Sequence, residues 1–303
     1  MPLTLLPGHA PDPNAMRVFT GCHTPTGWAC LEAGAGTGQV LAVGEPGPWM
    51  DAAQRKGWDT APIDLCAPEA ADRLAPRLMD VKIRVLHPLV QRPRAEILPS
   101  TAALLAAIGR SGAGVERFVL GGSACVWRKR AHRWSVLDAS PCGPALSGRA
   151  GSYLAAERLV ERAAGAVAVR LRAAPLWDAP ERGLRARMAG KWLAQPKEGR
   201  ALVDPLSLAS FARGCAAALD APHAAAGHVY GLGGGTAWPT RQLAVAAGAK
   251  VFAVPSLLAE GLGMLGLLGW DRDLVLAMSW TLTLSGSGAH AQMGWQAGED
   301  VLV

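Results

Sequence analysis

The sequence predicts an α/β fold in which a doubly wound parallel sheet carries helices on both faces. Two observations lead to this expectation. Short apolar segments typical of strands alternate with segments typical of helices between residues 16 and 171, which is the pattern of βαβ units. The chain also has 303 residues, 50% of them apolar, which is enough to bury a substantial core in one or two domains.

The elements follow in order from apolar periodicity and turn residues. We expect the first strand at 16–20, where an apolar segment runs into a turn that contains glycine. The other expected strands are 39–43, a short strand closing at Ile63, 80–86, 117–120, 166–171 and 250–254. The expected helices are 27–36, 68–78, 100–111, 152–164, 181–194, 205–219 and 239–247. The pattern becomes less regular beyond residue 175, which predicts a smaller C-terminal region.

Composition and charge argue against several classes of protein. The net charge of +6 is modest and the basic residues are scattered, so we expect no nucleic-acid partner. The six cysteines form no Cys-x-x-Cys pair and no zinc-type cluster. We therefore expect no metal, and we expect the cysteines to be small buried residues in a reducing, cytoplasmic compartment.

Two segments bear on targeting and membranes. Residues 1–16 lack the basic start and apolar run of a signal peptide. The apolar segment 251–270 contains Pro255, Glu260 and four glycines, so we expect no membrane span there. This segment predicts a packed helix or an oligomer surface, which leaves a homodimer or a larger complex open.

The segment Thr20-Gly-Cys-His-Thr-Pro-Thr-Gly27 joins the first expected strand to the first expected helix. A dinucleotide site needs glycine in such a loop, because backbone amides must approach a diphosphate at the start of the helix. The loop keeps Gly21 and Gly27 but has Thr24 in the middle position. An ordinary strand–turn–helix connection is an equal alternative.

Two carboxylates follow the next expected strands. Glu45 lies where an acid can bind both ribose hydroxyls of NAD and repel the 2′-phosphate of NADP. A solvated loop carboxylate is the alternative for Glu45. Asp64 is placed to accept from an adenine amino group, or else to cap the next helix, since Pro68 and Glu69 follow closely.

A strand that ends at Ser123 is followed by a helix that carries Tyr153. Ser and Tyr hydroxyls in this arrangement can hydrogen-bond to a substrate carbonyl during hydride transfer. For Ser123 the alternative is a strand-end serine that bonds the local backbone.

In the type and order of these segments, the chain resembles the extended short-chain dehydrogenase/reductase family, the NAD-dependent epimerase/dehydratases. The resemblance covers most of residues 16–298 and includes further segments at 121–128, 172–178, 203–209, 230–235 and 293–297. It implies an N-terminal extension at 1–15, a Rossmann-type dinucleotide-binding domain at 16–174, and a C-terminal substrate-binding region at 175–303 interleaved with the main sheet.

The chain departs from the family pattern Tyr-x-x-x-Lys-x-x-x-Glu. With Glu157 in the Glu position, Arg149 occupies the Tyr position and Tyr153 the Lys position. If Tyr153 is instead the acid/base, Glu157 falls in the Lys position. A phenol has a pKa near 10, so without a nearby cation it loses an acid–base contribution on the order of 10²–10⁴ in rate. Arg149 can polarise a carbonyl in part; alternatively Tyr153 packs, and Arg149 caps the helix or is solvated.

Further basic residues map to the same edge of the sheet. The segment 128–133 carries five basic side chains that could meet an acidic substrate, although a solvated loop is the alternative. His23 and His87 are expected at strand ends that face the cofactor cleft, where His87 can contact the cofactor and either can act as a general base. A structural role is the alternative for both.

The resemblance implies an NAD(P)-dependent oxidoreductase or epimerase/dehydratase-like enzyme acting on the hydroxyl or carbonyl group of a small molecule. Its candidate catalytic residues are Ser123, Arg149 and Tyr153, with NAD favoured over NADP. The alternative is a catalytically inactive relative that serves as a nucleotide-binding scaffold, a sensor or a complex subunit. No motif in the C-terminal third distinguishes sugar, steroid, flavonoid or lipid substrates.

Overall fold

A parallel β-sheet forms the centre of the molecule. The structure, a computed structural model, describes residues 3–5, 12–127, 142, 147–180, 182–196, 201–255 and 283–298. The strands of the described residues, in chain order, are β1 (Thr4–Leu5), β2 (Met16–Thr20), β3 (Val40–Gly44), β4 (Asp59–Pro62), β5 (Lys82–Pro88), β6 (Gly114–Ser123), β7 (Ala168–Ala173), β8 (Trp192–Pro196), β9 (Leu202–Val203), β10 (Val229–Leu232), β11 (Trp238–Pro239) and β12 (Lys250–Val254).

Eight of these strands pair in the central sheet, in the order β10-β7-β6-β5-β2-β3-β4 with β1 beside β6. All of these pairs are parallel. The chain moves outward from β2 through β3 and β4, and then returns to β5 on the other side of β2. The β2–β5 boundary is therefore a topological switch point, where ligands bind in doubly wound sheets. The predicted fold class is confirmed.

Helices cover both faces of the sheet. Their bounds are α1 (Pro25–Gly34), α2 (Pro48–Arg55), α3 (Ala70–Leu74), α4 (Arg94–Ser111), α5 (Gly148–Ala164), α6 (Leu184–Met188), α7 (Leu208–Asp220) and α8 (Thr240–Ala246), and a last described helix spans Ser287–Met293. Neighbouring residues of a strand point to opposite faces. Phe19 accordingly packs in the core cluster of α1 and α7, whereas Val18 packs in the cluster of α4 and α5. Both faces are buried, as parallel sheets require.

The predicted elements differ from the structure mainly in the C-terminal region. The strand predicted at 250–254 is confirmed as β12, but the helix predicted at 181–194 is wrong beyond Met188. Gly190 adopts a positive φ of 68°, which ends the helical path, and the chain continues as β8. β8 pairs with β12 in a separate two-stranded sheet. Helix α2, which starts at Pro48, was not predicted.

Three arginines lie side by side across β2, β5 and β6. Arg17 pairs in register with Arg84, and Arg84 pairs with Arg117. A register shift in β6 leaves Glu116 as an extra residue, and its carboxylate lies 3.4 Å from Arg84 Nε. Asp220, at the end of α7, contacts Arg17 and Arg84, and Arg117 donates to backbone carbonyls just past α7. This network holds α7 to the sheet far from the carboxyl ends of the strands.

None of the helices among the described residues has the length and apolar character needed to cross a bilayer.

Candidate functional site

A cavity of about 190 Å³ opens at the carboxyl edge of the sheet, beside the switch point between β2 and β5. Its walls come from the start of α1, the end of β3, the loop after β5 and the segment before α6. The lining residues are His23, Thr24, Pro25, Thr26, Glu45, Val90, Gln91, Arg92, Pro93, Glu96, Pro180 and Arg182. Cavities that enclose drug-sized ligands measure about 300–1,000 Å³. This one therefore has room for part of a dinucleotide.

The glycine loop needs both of the glycines predicted from the sequence. Gly21 has a positive φ of 70°, a conformation that side chains rarely adopt. A Cβ atom on Gly27 would overlap the carbonyl group of Gly21, so only glycine lets α1 start this close to the preceding turn. Both glycines are therefore required by packing within the protein, Gly21 against the Arg92 guanidinium and Gly27 against the Gly21 carbonyl.

Thr24 caps the helix itself. Its hydroxyl donates to the Gly21 carbonyl over 2.8 Å and accepts from the Gly27 amide over 3.1 Å. Pro25 follows at the first helical position and has no N–H. Among the first three helical residues, Pro25 has no amide hydrogen and the Gly27 amide donates to Thr24. Only the Thr26 amide remains uncapped by Thr24. The start of α1 is therefore a weaker anion site than a helix with free first-turn amides.

Arg92 brings a positive charge to this helix start. Its side chain is only 7% exposed, and its guanidinium lies against Gly21, where a Cβ atom would overlap it. Arg92 Nη1 is 3.5 Å from a carboxylate oxygen of Glu96, and Nε is buried with no hydrogen-bond partner among the described residues. Arg92 was not among the residues predicted from the sequence. The available signal was its position in the loop directly after a strand that borders the switch point.

Glu45 and His23 form a pair at the other wall of the cavity. The Glu45 amide donates to His23 Nδ1 over 3.0 Å, and His23 Nε2 lies 3.4 Å from Glu45 Oε1. Burial and the charge of Arg92 lower the pKa of His23, whereas the charge of Glu45 opposes that shift. Because Nδ1 accepts, the neutral ring carries its proton on Nε2, facing the carboxylate. Glu45 directly follows β3 and lines the cavity with its side chain about half exposed, and its contact with a ribose stays a prediction.

Asp64 is not among the residues that line this cavity, although its charge, like that of Glu45, acts to raise the pKa of His23. Its side chain is exposed, and Oδ1 accepts from the Cys66 amide over 2.8 Å in a local turn. The alternative that Asp64 caps the next helix is wrong, because the residue preceding α3 is Glu69. Contact between Asp64 and an adenine stays a prediction.

His87 does not face the cleft, and the expectation that it does is wrong. Its side chain is completely buried under α4, with Nδ1 2.6 Å from the Thr20 hydroxyl and Nε2 3.1 Å from the Thr101 hydroxyl. Both ring nitrogens are therefore engaged inside the core, where no cofactor or substrate can reach them. His87 therefore has a structural role, which was the alternative to a role in the cleft.

Replacement of His87 by asparagine tests this placement through the pH dependence of stability. Burial, and then the charge of Arg92, hold the pKa of His87 well below the ordinary histidine value of 6.5. The ring stays neutral in the folded protein but gains a proton in the unfolded chain below that pH. The contribution of His87 to the free energy of unfolding is therefore complete above about pH 6.5. It is lost as the pH falls, by up to about 1.4 kcal/mol per pH unit.

Urea unfolding between about pH 7 and 5 should accordingly show a shallower loss of stability in His87→Asn than in the unaltered chain. His23 is present in both proteins, so its titration cancels in the comparison. Parallel curves would contradict the buried, neutral state of His87.

The predicted catalytic hydroxyls are both bonded to the backbone. Ser123 ends β6, and its hydroxyl accepts from the Cys125 amide over 3.3 Å, as its structural alternative proposed. Tyr153 is 2% exposed and donates to the Leu89 carbonyl over 3.0 Å, and burial raises the pKa of its phenol. Arg149 donates to the Arg92 carbonyl. The structure therefore joins Arg149 and Tyr153 to the loop after β5, and it places Ser123 in a local turn.

No protein-family model matches the chain, and no curated protein sequence matches it. Solved structures do match. The UDP-glucuronic acid 4-epimerase of Bacillus cereus, in complex with UDP-glucuronic acid and NAD, superposes over 95% of both chains with a TM-score of 0.68 and 15% identity. The UDP-glucose 4-epimerase of Bifidobacterium longum gives 0.66 over 94% of both chains at 15% identity. The ADP-L-glycero-D-manno-heptose-6-epimerase of Helicobacter pylori gives 0.65 at 12% identity, over 95% of this chain and 92% of that one.

The chain has the fold of the extended short-chain dehydrogenase/reductases. At these identities the similarity concerns the fold alone, and it agrees with the resemblance found in the sequence. The epimerase/dehydratase-like fold extends to the C-terminal region, since β10 joins the main sheet beside β7. There Asp204 packs so tightly against Gly233 and Gly234 that a Cβ atom on either glycine would overlap the carboxylate or its neighbouring backbone.

Within this epimerase/dehydratase-like fold, Glu157 is a structural residue. Its carboxylate accepts from Arg172 Nε over 3.0 Å and from Arg172 Nη2 over 2.6 Å, and both side chains are buried. The guanidinium also stacks on Trp127, 4.8 Å from the ring centroid. Glu157 therefore neutralises a buried arginine of β7 and has no free charge to act on Tyr153.

Two predicted features lie wholly or mostly outside the described residues. The basic segment 128–133 lies there entirely, and of the apolar segment 251–270 only 251–255 are described.

Proposed function

We propose that the chain binds NAD at the carboxyl edge of its sheet, as an epimerase/dehydratase-like protein that acts on the hydroxyl or carbonyl group of a small molecule. One observation carries this proposal: a single cavity brings together the start of α1, the buried guanidinium of Arg92 and the carboxylate of Glu45. Arg92 and the Thr26 amide are suited to a diphosphate, and Glu45 to a ribose. The B. cereus epimerase with the same fold was solved with NAD.

The residues present fit the cofactor in two ways. Arg92 lines the cavity with a guanidinium whose Nε lacks a hydrogen-bond partner among the described residues, and the carboxylate of Glu45 lines the same cavity. When bound, NAD would supply hydride transfer. The chain itself would hold the diphosphate with Arg92 and the Thr26 amide, and the ribose hydroxyls with Glu45.

The carboxylate of Glu45 should make the site prefer NAD to NADP. A 2′-phosphate placed at this wall would meet a like charge, and neutral His23 does not compensate for it. We expect Glu45→Gln to reduce the preference for NADH over NADPH by roughly tenfold, about 1.4 kcal/mol. The ratio of the two dissociation constants measures this effect. An unchanged ratio would mean that Glu45 does not face the ribose.

A second candidate function is nucleotide binding without turnover, in a scaffold, a sensor or a complex subunit. The hydroxyls of Ser123 and Tyr153 favour it, because both are engaged with the backbone. A proton acceptor must reach the reacting hydroxyl within hydrogen-bond distance. Turnover through Tyr153 would require its phenol to leave the Leu89 carbonyl and its buried position.

Titration with NADH, followed by energy transfer from the tryptophans, tests cofactor binding. A saturable signal is expected, and no signal at millimolar NADH would overturn the proposal. If NADH binds, hydride transfer to a panel of small carbonyl compounds separates the two functions. Loss of a catalytic tyrosine lowers the rate on the order of 10²–10⁴-fold. A fall of that size in Tyr153→Phe would support the enzyme, whereas an inert panel in the unaltered chain would favour binding without turnover.

A further inference from the structure

The loop after β5 is held from two sides by the helix that carries Arg149 and Tyr153. The Tyr153 hydroxyl donates to the Leu89 carbonyl, which also accepts from the Arg92 amide over 3.0 Å. The Arg149 guanidinium donates to the Arg92 carbonyl at the other end of the turn. Between these points Gln91 has a φ of 69°, an uncommon conformation for a residue with a side chain. The turn is therefore tight and strained, and α5 fixes both of its ends.

This turn determines where the side chain of Arg92 lies. The guanidinium rests on the glycine loop, in the space that Gly21 leaves open. Its surroundings satisfy it only in part: Glu96 reaches Nη1 at 3.5 Å, and Nε has no partner among the described residues. A guanidinium is always charged, and a buried charge without full hydrogen bonding is costly. Because Arg92 lines the cavity, an anion there would neutralise its charge and offset this cost.

We propose that Arg92 is the principal diphosphate-binding residue of this site, and that Arg149 and Tyr153 are positioning residues that hold it there. With Glu157 in the Glu position of the family pattern, the two residues occupy its Tyr and Lys positions, but their hydrogen bonds go to the loop after β5. The ligand class is a nucleotide that carries a diphosphate. In the identity of its ligand, this inference rests on the proposed function.

The start of α1 explains why an arginine is needed. Pro25 removes one first-turn amide, and the Thr24 hydroxyl caps that of Gly27, so few backbone donors remain for an anion. Arg92 offers charged donors at the same place, and Arg182 adds a second positive charge to the lining. The carboxylates of Glu45 and Glu96 also line the cavity and oppose an anion. Arg92 must therefore supply most of the attraction.

Calorimetric titration of the full chain with ADP, inorganic pyrophosphate and adenosine tests the role of Arg92. We expect Arg92→Gln to weaken ADP and pyrophosphate binding about 10- to 100-fold, the usual range for lost hydrogen bonds to a charged group, and to leave adenosine binding unchanged. Arg94→Gln is the matched control, since it removes the same charge from an exposed residue just past the turn. Unchanged ADP affinity in Arg92→Gln would overturn the proposal.

A double-mutant cycle tests the positioning role. Tyr153→Phe removes one hydroxyl and Arg149→Gln removes the guanidinium, and each should weaken ADP binding about three- to tenfold when Arg92 is present. Neither should weaken it further in the Arg92→Gln background. Equal losses in both backgrounds would show a general structural effect and overturn the positioning role.

The ligands also separate this inference from the proposed function. ADP and pyrophosphate binding that depends on Arg92, without NADH binding, would refute the proposed function and leave the inference standing. NADH binding that does not depend on Arg92 would overturn this inference and leave only cofactor binding itself standing. If NADH, ADP and pyrophosphate all fail to bind, both the inference and the proposed function are overturned.

Discussion

Replacement of Glu157 by leucine is expected to lower the free energy of unfolding by about 3–5 kcal/mol, the usual cost of removing one partner of a buried ion pair. Arg172 would remain buried, with a permanent charge that Trp127 and Cys142 contact but do not neutralise. Urea unfolding measures the loss. Glu161→Leu is the matched control, because this carboxylate lies one turn further along α5 and pairs with Arg170 while more than half exposed.

The control should change stability by about 1 kcal/mol or less, since the Glu161 carboxylate is solvent-exposed and Arg170 keeps its hydrogen bond to the Gly227 carbonyl. The double variant Glu157→Leu/Arg172→Leu should recover part of the loss, because it leaves no uncompensated charge. A Glu157→Leu variant as stable as Glu161→Leu would contradict the buried pair and the structural role given to Glu157.

Replacement of Gly27 by alanine is expected to disrupt both stability and ligand binding. The added Cβ would overlap the backbone of Gly21, so either the loop or the start of α1 must move. Such overpacking costs about 1–3 kcal/mol, and the movement would displace the Thr26 amide from the cavity. Urea unfolding and ADP titration of the same variant measure the two effects.

Gly38→Ala is the control for this variant, because its Cβ would meet only the Pro13 carbonyl oxygen at an ordinary 3.4 Å. It should keep ADP affinity and near-normal stability. Normal ADP binding by Gly27→Ala would mean that the ligand does not depend on the close packing of this loop.

The order of the elements could be predicted from the sequence because it follows from local periodicity. Helix α1, strand β3 and strand β12 each show their pattern within a few residues. Strand β8 could not be predicted in this way. It depends on pairing with β12, which lies far away in the chain, and its sequence has no alternation that would distinguish it from the end of a helix.

The location of the candidate site could be predicted from the sequence, but the roles of its individual residues could be predicted less well. Gly21 follows β2, Gly27 lies in the first turn of α1 and Glu45 follows β3, as the strand–loop–helix pattern predicts. His87 and Tyr153 also lie on the predicted elements, but their side chains point into the core, and only tertiary packing determines that direction. Arg92 belongs to no motif. Its role depends on contact with Gly21 at the end of a neighbouring strand, and a linear sequence pattern does not show that contact.

A crystal structure of the chain grown with NAD would show whether the cofactor binds in this cavity. We expect diphosphate density between the Thr26 amide and the Arg92 guanidinium, with a ribose beside Glu45. Arg92 should remain tied through its carbonyl to Arg149, and the Tyr153 hydroxyl should remain on the Leu89 carbonyl. Cofactor density elsewhere on the protein, or no diphosphate density beside Arg92 at saturating NAD, would exclude this site.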